Sequence, residues 1–253
     1  ANIVSLHSAN FWYKNGAKRV ILARELNKEQ IKYIMENKPK DMEVEMFIHG
    51  AICFAYSGRC FLSDFLSGRS ANLGSCSLIN EIPEIVDMGI ESLKIEGRLK
   101  TEYYIASVVS AYRTAIDDYI KDPENYNGNK YLKELEKVKT RGLTTFYFND
   151  RNNKDIQEYG GRQYNELYEF GGKIIKYEEN KTVVEIRNRM QVGDEMELLI
   201  PYKFEPIKFK IEKLWDAETN EEVDHVSPGV KGQQILLHIP IKCEKDWILR
   251  RVK

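Results

Sequence analysis

The sequence has little cysteine and no long hydrophobic run. Only four of its 253 residues are cysteine, whereas secreted proteins held together by disulfides are small and cysteine-dense. The longest stretch without Asp, Glu, Lys or Arg is residues 1–13, which is too short and too polar to span a bilayer. A leader with a basic and then an apolar region is also lacking. We therefore expect a cytoplasmic protein with no membrane partner.

An excess of charge of one sign is lacking as well. The 38 Lys and Arg residues nearly balance the 39 Asp and Glu residues, so the formal net charge is −1. A general attraction to nucleic acid or anionic lipid is not expected, and any such partner must bind through a local surface. Hydrophobic residues make up 42% of the chain and charged residues 30%, which excludes wholesale disorder. The composition does not indicate an oligomeric state.

Short apolar segments alternate with helical periodicity in the first half of the chain. The predicted elements are strands at 19–23, 43–48 and 92–95 and helices at 29–36, 81–88 and 101–120. Asn27 is the predicted N-cap of the first of these helices. This alternation favours parallel strands joined by helical crossovers. Because three such units cannot close an eight-stranded barrel, either the fold is open or the chain is the later part of a longer protein.

The second half of the chain has a different pattern. Residues 122–161 are a transition with many turn signals, and short strands without a long helix follow it. The predicted strands are 173–177, 182–186, 195–200, 208–214, 234–238 and 247–252. They predict a small antiparallel barrel or sandwich. From residue 166 onward there are 15 Lys and Arg residues against 17 Asp and Glu residues, so this region is not a basic RNA-binding module by composition.

Charged or titratable side chains follow each predicted strand of the first half directly. Arg24 and Glu25 follow the first strand, His49 follows the second, and Glu96 and Arg98 follow the third. In parallel α/β folds the carboxyl ends of the strands meet at one edge, which carries the ligand site. Residues at that edge can also form a purely structural ion-pair network or simply begin loops. We expect the five side chains to face one cavity there.

Three of the four cysteines lie in one window. Cys53, Cys60 and Cys76 fall within 24 residues, next to glycine-rich turns, whereas Cys243 lies near the C-terminus. Thiolates that converge from such loops suit zinc or an iron–sulfur cluster. Their spacing is not that of a zinc knuckle or a ferredoxin, and three unlinked buried thiols would explain the residues equally well. We expect the three sulfur atoms to lie close together at the ligand edge of the sheet.

Residues 45–63 meet every defined position of a specific pattern. The matching residues are Glu45, Phe47, Gly50, Ala51, Ile52, Cys53, Gly58, Cys60, Leu62 and Ser63. This pattern is the signature of the collagenase-like peptidase family U-32, which the chain therefore resembles. Blocks at 17–26, 68–72 and 92–98 are similar to the family as well, and residues 184–195 resemble its C-terminal domain.

The resemblance implies a TIM-like barrel, to which some members of the family add a small β-barrel. We therefore predict an α/β fold that consists of part of a TIM-like (β/α) barrel followed by a small all-β barrel domain. The predicted boundaries are 1–139 for the partial barrel with the cysteine window, 140–165 for a linker and 166–253 for the β-barrel domain.

The resemblance also implies a cofactor and a reaction. Four cysteines of the family hold a 4Fe–4S cluster; Cys53, Cys60 and Cys76 match the first three, and Asn80 stands at the position of the fourth. Many members carry a protease name, whereas others are implicated in oxygen-independent hydroxylation of tRNA, rRNA or ubiquinone precursors. For the RNA-modifying members, the implied oxygen donor is prephenate, a small dicarboxylate.

These implications and the strand-end residues together favour an enzyme that hydroxylates an RNA pyrimidine, either a tRNA uridine or an rRNA cytidine. Arg24 and Arg98 are the predicted dicarboxylate-binding residues, because guanidinium pairs bidentately with carboxylate. The predicted catalytic residues, which would move protons, are Glu25, His49 and Glu96.

Two other functions stay open. The first is proteolysis of collagen-like or other protein substrates. The sequence contains no His-Glu-x-x-His or Gly-x-Ser-x-Gly motif, so a pair of Cys53 and His49 would have to act as nucleophile and base. The second is a non-catalytic, metal-stabilised scaffold that binds RNA or protein through the β region.

Overall fold

The computed structural model describes residues 2–53, 72–98, 100–138, 142–149, 167–229 and 232–253. These residues form two compact units. The N-terminal unit comprises the described parts of 1–99, 115–136 and 140–164, and the C-terminal unit comprises those of 100–114, 137–139 and 165–253. None of the described helices combines the length with the apolar character that crossing a bilayer requires. The domain boundaries proposed from the sequence stay a prediction.

A mixed five-stranded sheet, resembling part of a barrel wall, forms the centre of the N-terminal unit. Its strands are β1 (Arg19–Ile21), β2 (Glu43–Cys53), β3 (Asn72–Ser77), β4 (Ser92–Ile95) and β5 (Leu143–Thr144). Strands β1 and β4 both pair with β2 in parallel, as predicted. Strand β3, which the sequence analysis did not predict, pairs with β2 in the antiparallel direction, with Asn72 opposite Cys53.

Five α-helices occur in the described residues. They are α1 (Leu6–Lys14), α2 (Lys28–Asn37), α3 (Ile82–Asp87), α4 (Glu102–Lys121) and α5 (Gly128–Leu135). Helix α4 is divided between the two units at residue 114. The predicted N-cap of α2 is confirmed, because the Asn27 side chain accepts a hydrogen bond from the Gln30 backbone N–H at 3.0 Å. The Gln30 side chain accepts one from the Asn27 N–H in return, which completes a capping box. Helix α1 has no counterpart in the sequence analysis.

The two faces of the sheet differ in polarity, because alternate residues of a strand point to opposite sides. The buried side chains of one face are Val20, Leu22, Val44, Met46 and Ile48. On the other face, Arg19 forms ion pairs with Glu43 at 2.7 Å and with Glu45 at 3.7 Å. The apolar face therefore supplies the core of this unit, and the opposite face carries charged side chains where β1 and β2 begin.

The carboxylate of Glu91 holds the start of β2. It accepts hydrogen bonds from the Val44 backbone N–H at 2.8 Å and from the Lys38 ammonium at 2.7 Å. Burial by itself raises the pKa of Glu91, but the bonds from Lys38 and Val44 outweigh burial, so that the pKa lies below its ordinary value. The folded chain therefore favours the ionised carboxylate at this position.

A seven-stranded antiparallel sheet forms the C-terminal unit. Its strands, in hydrogen-bonded order, are β10 (Ile207–Lys210), β9 (Glu195–Leu199), β14 (Ile248–Val252), β6 (Tyr168–Glu178), β7 (Lys181–Ile186), β13 (Gln234–Leu237) and β11 (Leu214–Asp216). Strands β8 (Met190–Gln191) and β12 (His225–Val226) form a separate pair. No helix occurs in the described residues after 167, and β10 and β11 are the end strands of this pairing order.

The strand predicted at 208–214 is two strands in the structure. Lys210 ends β10 and Leu214 begins β11, and the two strands have different partners: β10 pairs with β9, whereas β11 pairs with β13. The Ile211 N–H still donates to the Asp194 carbonyl, next to β9, at 3.0 Å, and the Ile211 carbonyl accepts from the Gly193 N–H at 2.8 Å. The side chain of Ile211 joins the buried core of this unit. Pairing with two different strands therefore divides a segment that is strand-like by composition.

Arg250 and Glu197 form a buried ion pair on the face of this sheet opposite the apolar core. They face each other on β14 and β9, and their side chains are 0% and 2% exposed. The Arg250 Nε donates to Glu197 Oε2 at 2.6 Å, and Nη2 contacts the same oxygen. The guanidinium carbon lies 5.2 Å from the centroid of the Tyr168 ring. Because desolvating each ion is costly, the charge of one member is tolerated only beside the other.

Replacing Glu91 by Gln should lower the free energy of unfolding by about 1–2 kcal/mol at neutral pH, because a charge-assisted acceptor is lost. The folded-state pKa is lowered, so the contribution is present above the unfolded pKa of about 4.3. It is lost as the pH falls through the folded-state value. Urea unfolding between pH 7 and pH 3 measures this, with exposed Glu124→Gln as the control. A difference that stays constant over this range would contradict the assignment.

Glu197→Leu should destabilise the C-terminal unit by about 3–5 kcal/mol, because the buried charge of Arg250 loses its partner. Glu222→Leu is the matched control: the pair of Glu222 with Lys213 is 53% and 57% exposed, and such pairs contribute less than about 1 kcal/mol. The double variant Glu197→Leu/Arg250→Met should recover most of the loss. Urea unfolding followed by circular dichroism gives all three values. If Glu197→Leu and Glu222→Leu lower the free energy of unfolding equally, the buried pair of Glu197 and Arg250 has no special role in stability.

Candidate functional site

Arg24 lies at the end of β2, as the strand-end argument requires. Its Nη1 donates a hydrogen bond to the Ala51 carbonyl at 3.0 Å, and its guanidinium carbon is 4.1 Å from the centroid of the Phe47 ring. Phe47 is 7% exposed, so this cation–π contact is largely desolvated and is worth about 2 kcal/mol. The chain therefore holds the guanidinium of Arg24 in one place at the carboxyl end of the parallel strands.

A narrow crevice runs beside Arg24. Phe47, Cys76, Thr145 and Phe148 are among its lining residues, and Arg24 is the charged side chain in that lining. Sequence reasoning missed Phe47 as a partner of Arg24, although Phe47 was part of the matched pattern. Alternation along β2 could not have indicated this contact, because the pairing of β2 with β4 shifts register between Phe47 and His49.

His49 and Glu96 are neighbours through their backbones. The His49 carbonyl accepts a hydrogen bond from the Glu96 N–H at 2.9 Å, and the His49 side chain is fully buried. The Glu96 carboxylate in turn accepts a hydrogen bond from the Arg98 N–H at 3.0 Å. Glu96 and Glu25 are partly buried, whereas Arg98 is exposed. The strand ends therefore bring His49 and Glu96 together, while the roles of these residues in binding or catalysis stay predictions.

Gly50 directly follows His49, which pairs with both β3 and β4. The φ of Gly50 is +131°, and a Cβ atom there would lie 2.8 Å from the Glu96 carbonyl oxygen and 2.9 Å from the Glu96 Cβ. Residues that carry a Cβ atom rarely adopt this backbone conformation. The carbonyl oxygen of Glu96 belongs to the backbone, so it could make room for a Cβ atom only if the main chain shifted. The pattern therefore requires glycine at this position, because Glu96, which directly follows β4, lies too close to Gly50 for a side chain to fit.

Cys76 is a buried thiol in β3. It lies opposite Gly50 in the register, is 3% exposed, and donates a weak hydrogen bond from Sγ to the Ile48 carbonyl at 3.8 Å. Burial raises the pKa of the Cys76 thiol to about 12, against the smaller opposing effect of the Arg24 charge. Without a metal ion beside it, the thiol is therefore protonated at neutral pH.

The other predicted cluster residues do not complete a ligand set in the described part of the chain. The backbone of Cys53 ends β2, but its side chain and the whole of Cys60 lie outside the described residues. The Asn80 side chain contacts Gly128 at the start of α5. Among the described side chains, no group of three or more His, Cys, Asp or Glu could hold a metal ion. Because Cys76 is the one predicted ligand whose side chain is described, the iron–sulfur cluster stays a prediction.

Fold and site together define a chain with a mixed α/β unit, whose strand ends carry an arginine beside a thiol, and an all-β unit. The model of peptidase family U32 matches residues 1–78 and 77–158. The model of the peptidase family U32 C-terminal domain matches residues 166–250. These matches extend over most of the sequence and confirm the resemblance that the pattern at 45–63 indicated. The chain belongs to peptidase family U32.

Three proteins show what this chain is similar to. The tRNA hydroxylation protein P1 of Bacillus subtilis is 36% identical over 253 residues, which cover 85% of this chain and 59% of that protein. A Methanocaldococcus jannaschii protein named an uncharacterized protease is 37% identical over 238 residues, or 76% of this chain and 57% of that protein. A 23S rRNA 5-hydroxycytidine synthase of Escherichia coli is 27% identical over 274 residues, covering 90% and 41%. The chain spans less than two thirds of each of these relatives.

Gly50→Ala should destabilise the chain by about 2–4 kcal/mol, because it adds both an unfavourable φ and a clash with the backbone of Glu96. Gly16→Ala is the control: Gly16 also has a positive φ, of +95°, but an added Cβ atom would meet nothing within 4 Å. That variant should lose only about 1 kcal/mol. Thermal and urea unfolding measure both, and equal losses would exclude the clash as the cause.

Proposed function

We propose that this chain is part of an enzyme that hydroxylates a pyrimidine of RNA, in tRNA or in rRNA. We further propose that its N-terminal unit is part of a TIM-like (β/α) barrel and that its C-terminal unit is a small all-β barrel. The observation that carries the proposal is the fixed guanidinium of Arg24 at the strand ends, in a chain similar to proteins named for tRNA hydroxylation and rRNA 5-hydroxycytidine synthesis. A cytoplasmic location belongs to the same proposal.

Arg24 would bind a carboxylate of a small dicarboxylate, for which prephenate is the expected compound. A guanidinium group carries five N–H donors in a planar fork, and the Ala51 carbonyl takes one of them. The remaining donors suit a bidentate contact with a carboxylate. The contact with Phe47 supports this role because it holds the plane of the guanidinium without using its donors. Arg98, which is exposed, would provide the second positive charge.

Proton transfer would fall to Glu25, His49 or Glu96. Glu25 and Glu96 are partly buried, whereas the His49 ring is fully buried. A group that exchanges a proton with a substrate must come within hydrogen-bond distance of it. The two glutamates are therefore better suited than His49 in the described arrangement.

The 4Fe–4S cluster stays a prediction that rests on the resemblance. Its ligands would be Cys53, Cys60 and Cys76, and a cluster would supply the electron transfer that side chains cannot perform. Of these three side chains, that of Cys76 lies within the described residues, where it is buried in β3. No step of the proposed reaction is therefore assigned to a cluster.

Proteolysis is the alternative function, and the name of the Methanocaldococcus jannaschii relative favours it. A pair of Cys53 and His49 would need an accessible imidazole to act as a base, but His49 is 0% exposed. The burial of His49 therefore argues against this pair. A non-catalytic scaffold is the remaining alternative, and it would tolerate loss of Arg24.

Arg24→Ala should reduce the rate of pyrimidine hydroxylation about 10-fold to 100-fold, because a bidentate contact of roughly 1.5–3 kcal/mol is lost. Arg24→Lys keeps the charge but not the fork, so it should recover only part of the rate. Arg19→Ala is the matched control, since Arg19 lies on β1 in exposed ion pairs away from the strand ends. It should keep the full rate.

The measurement is mass spectrometry of nucleosides from tRNA and rRNA, made with the full-length protein in cells that lack their own copy. Thermal unfolding of each variant shows whether the fold is retained. Unchanged hydroxylation in Arg24→Ala, together with loss of peptide cleavage, would replace the proposed function with proteolysis. Unchanged levels of both activities would exclude a binding role for Arg24.

A further inference from the structure

The turn between β9 and β10 holds an exposed aromatic side chain in an unfavourable backbone conformation. The Lys203 N–H donates to the Ile200 carbonyl at 3.1 Å, which places Pro201 and Tyr202 in the middle of the turn. Tyr202 has a φ of +65°, at a position where turns with this φ favour Gly or Asn. Its side chain is 100% exposed. The ring therefore adds no packing that would offset the conformational cost.

Lysines surround this turn and the strand that follows it. Lys203, Lys208 and Lys210 are all exposed, and Glu205 is the acidic residue within 201–211. Ile207 and Phe209 alternate with the last two lysines and pack against the core of the unit, so Lys208 and Lys210 point outward from the same face. Their Cα atoms are about 7 Å apart, as for any two residues i and i+2 of a strand.

Neighbouring carboxylates offset only part of the positive charge of this surface. Glu197 is the carboxylate close to Lys208, at 3.7 Å, and it already binds the buried Arg250. Lys137 lies 3.7 Å from the same carboxylate, so three cations share one negative charge. Lys210 faces Glu195 in the register, but no ion pair joins these two described residues. A polyanion therefore fits this surface by charge.

We propose that Tyr202, Lys203, Lys208 and Lys210, called here the hairpin surface, bind a single-stranded segment of RNA. The lysines would contact successive phosphates, and the exposed ring of Tyr202 would stack on a base. This inference rests on the proposed function, because it assigns a surface to the RNA substrate. It also explains how a C-terminal region with balanced overall charge can bind RNA: the structure segregates lysines at one edge of the sheet.

Tyr202→Gly separates binding from stability. Glycine relieves the positive φ, so the melting temperature of the 253-residue chain should stay the same or rise. The dissociation constant for unfractionated tRNA, measured by fluorescence anisotropy, should increase about 5-fold to 100-fold because a stacked base is lost. Tyr202→Phe should keep the original affinity. Tyr33→Ala, which removes another exposed ring on α2, is the control and should leave the affinity unchanged.

Lys208→Gln/Lys210→Gln tests the phosphate contacts. The slope of the logarithm of affinity against the logarithm of salt concentration should become shallower by about 1.4, since each phosphate contact to a single strand contributes about 0.7. Lys242→Gln/Lys245→Gln removes the same charge from two other exposed lysines of this unit and should leave the slope unchanged. Equal effects of the two double variants would overturn the proposal. So would lost binding to phosphatidylserine vesicles with unchanged affinity for tRNA.

The outcomes distinguish this surface from the proposed function. If Tyr202→Gly weakens RNA binding but the unaltered protein forms no hydroxylated pyrimidine, the surface stands and the proposed function fails. If hydroxylation occurs and neither Tyr202→Gly nor the Lys208/Lys210 variant changes the affinity for RNA, the function stands and the surface is refuted.

Discussion

The contact between Gly50 and Glu96 is the constraint on which the N-terminal unit depends. Strand β2 pairs with β1 and β4 along its first part and with β3 along its last part. The two pairings meet at His49, and the positive φ and missing side chain of the next residue, Gly50, let the backbone of Glu96 come close. Arg24 is held by the Phe47 ring and by the Ala51 carbonyl, and these two residues lie on either side of Gly50 in the chain. A displaced β2 would therefore move the whole strand-end cluster.

Burial and reactivity oppose each other at Cys76. The packing that holds β3 against β2 removes the thiol from water, and a thiol in apolar surroundings resists ionisation. Arg24 partly opposes this effect by its charge, but burial is the larger one. The same arginine is the best candidate for binding a carboxylate. The reactivity at the carboxyl ends of the strands would therefore depend on which anion lies beside the Arg24 guanidinium, a substrate carboxylate or the Cys76 thiolate.

The C-terminal unit places its charges differently on its two faces. One face of the sheet forms an apolar core, whereas the other contains the buried pair of Arg250 and Glu197. Lys208 extends from this second face toward solvent near the same carboxylate. The net charge of the region conceals this arrangement, because composition counts charges without regard to position. A local surface can therefore be basic in a nearly neutral chain.

Local patterns in the sequence were sufficient for part of the elements: the N-cap at Asn27, the amphipathic helix α4 and the strand-end positions of Arg24 and Glu96 all follow from near neighbours in the chain. The family signature at 45–63 likewise needed only the sequence. Tertiary structure decided the antiparallel direction of β3, the complete burial of His49, the contact of Arg24 with Phe47 and the interruption of the strand at Ile211. The physical reason is that periodicity reports which side chains avoid water, whereas direction, register and partner are set by contacts between residues far apart in the chain.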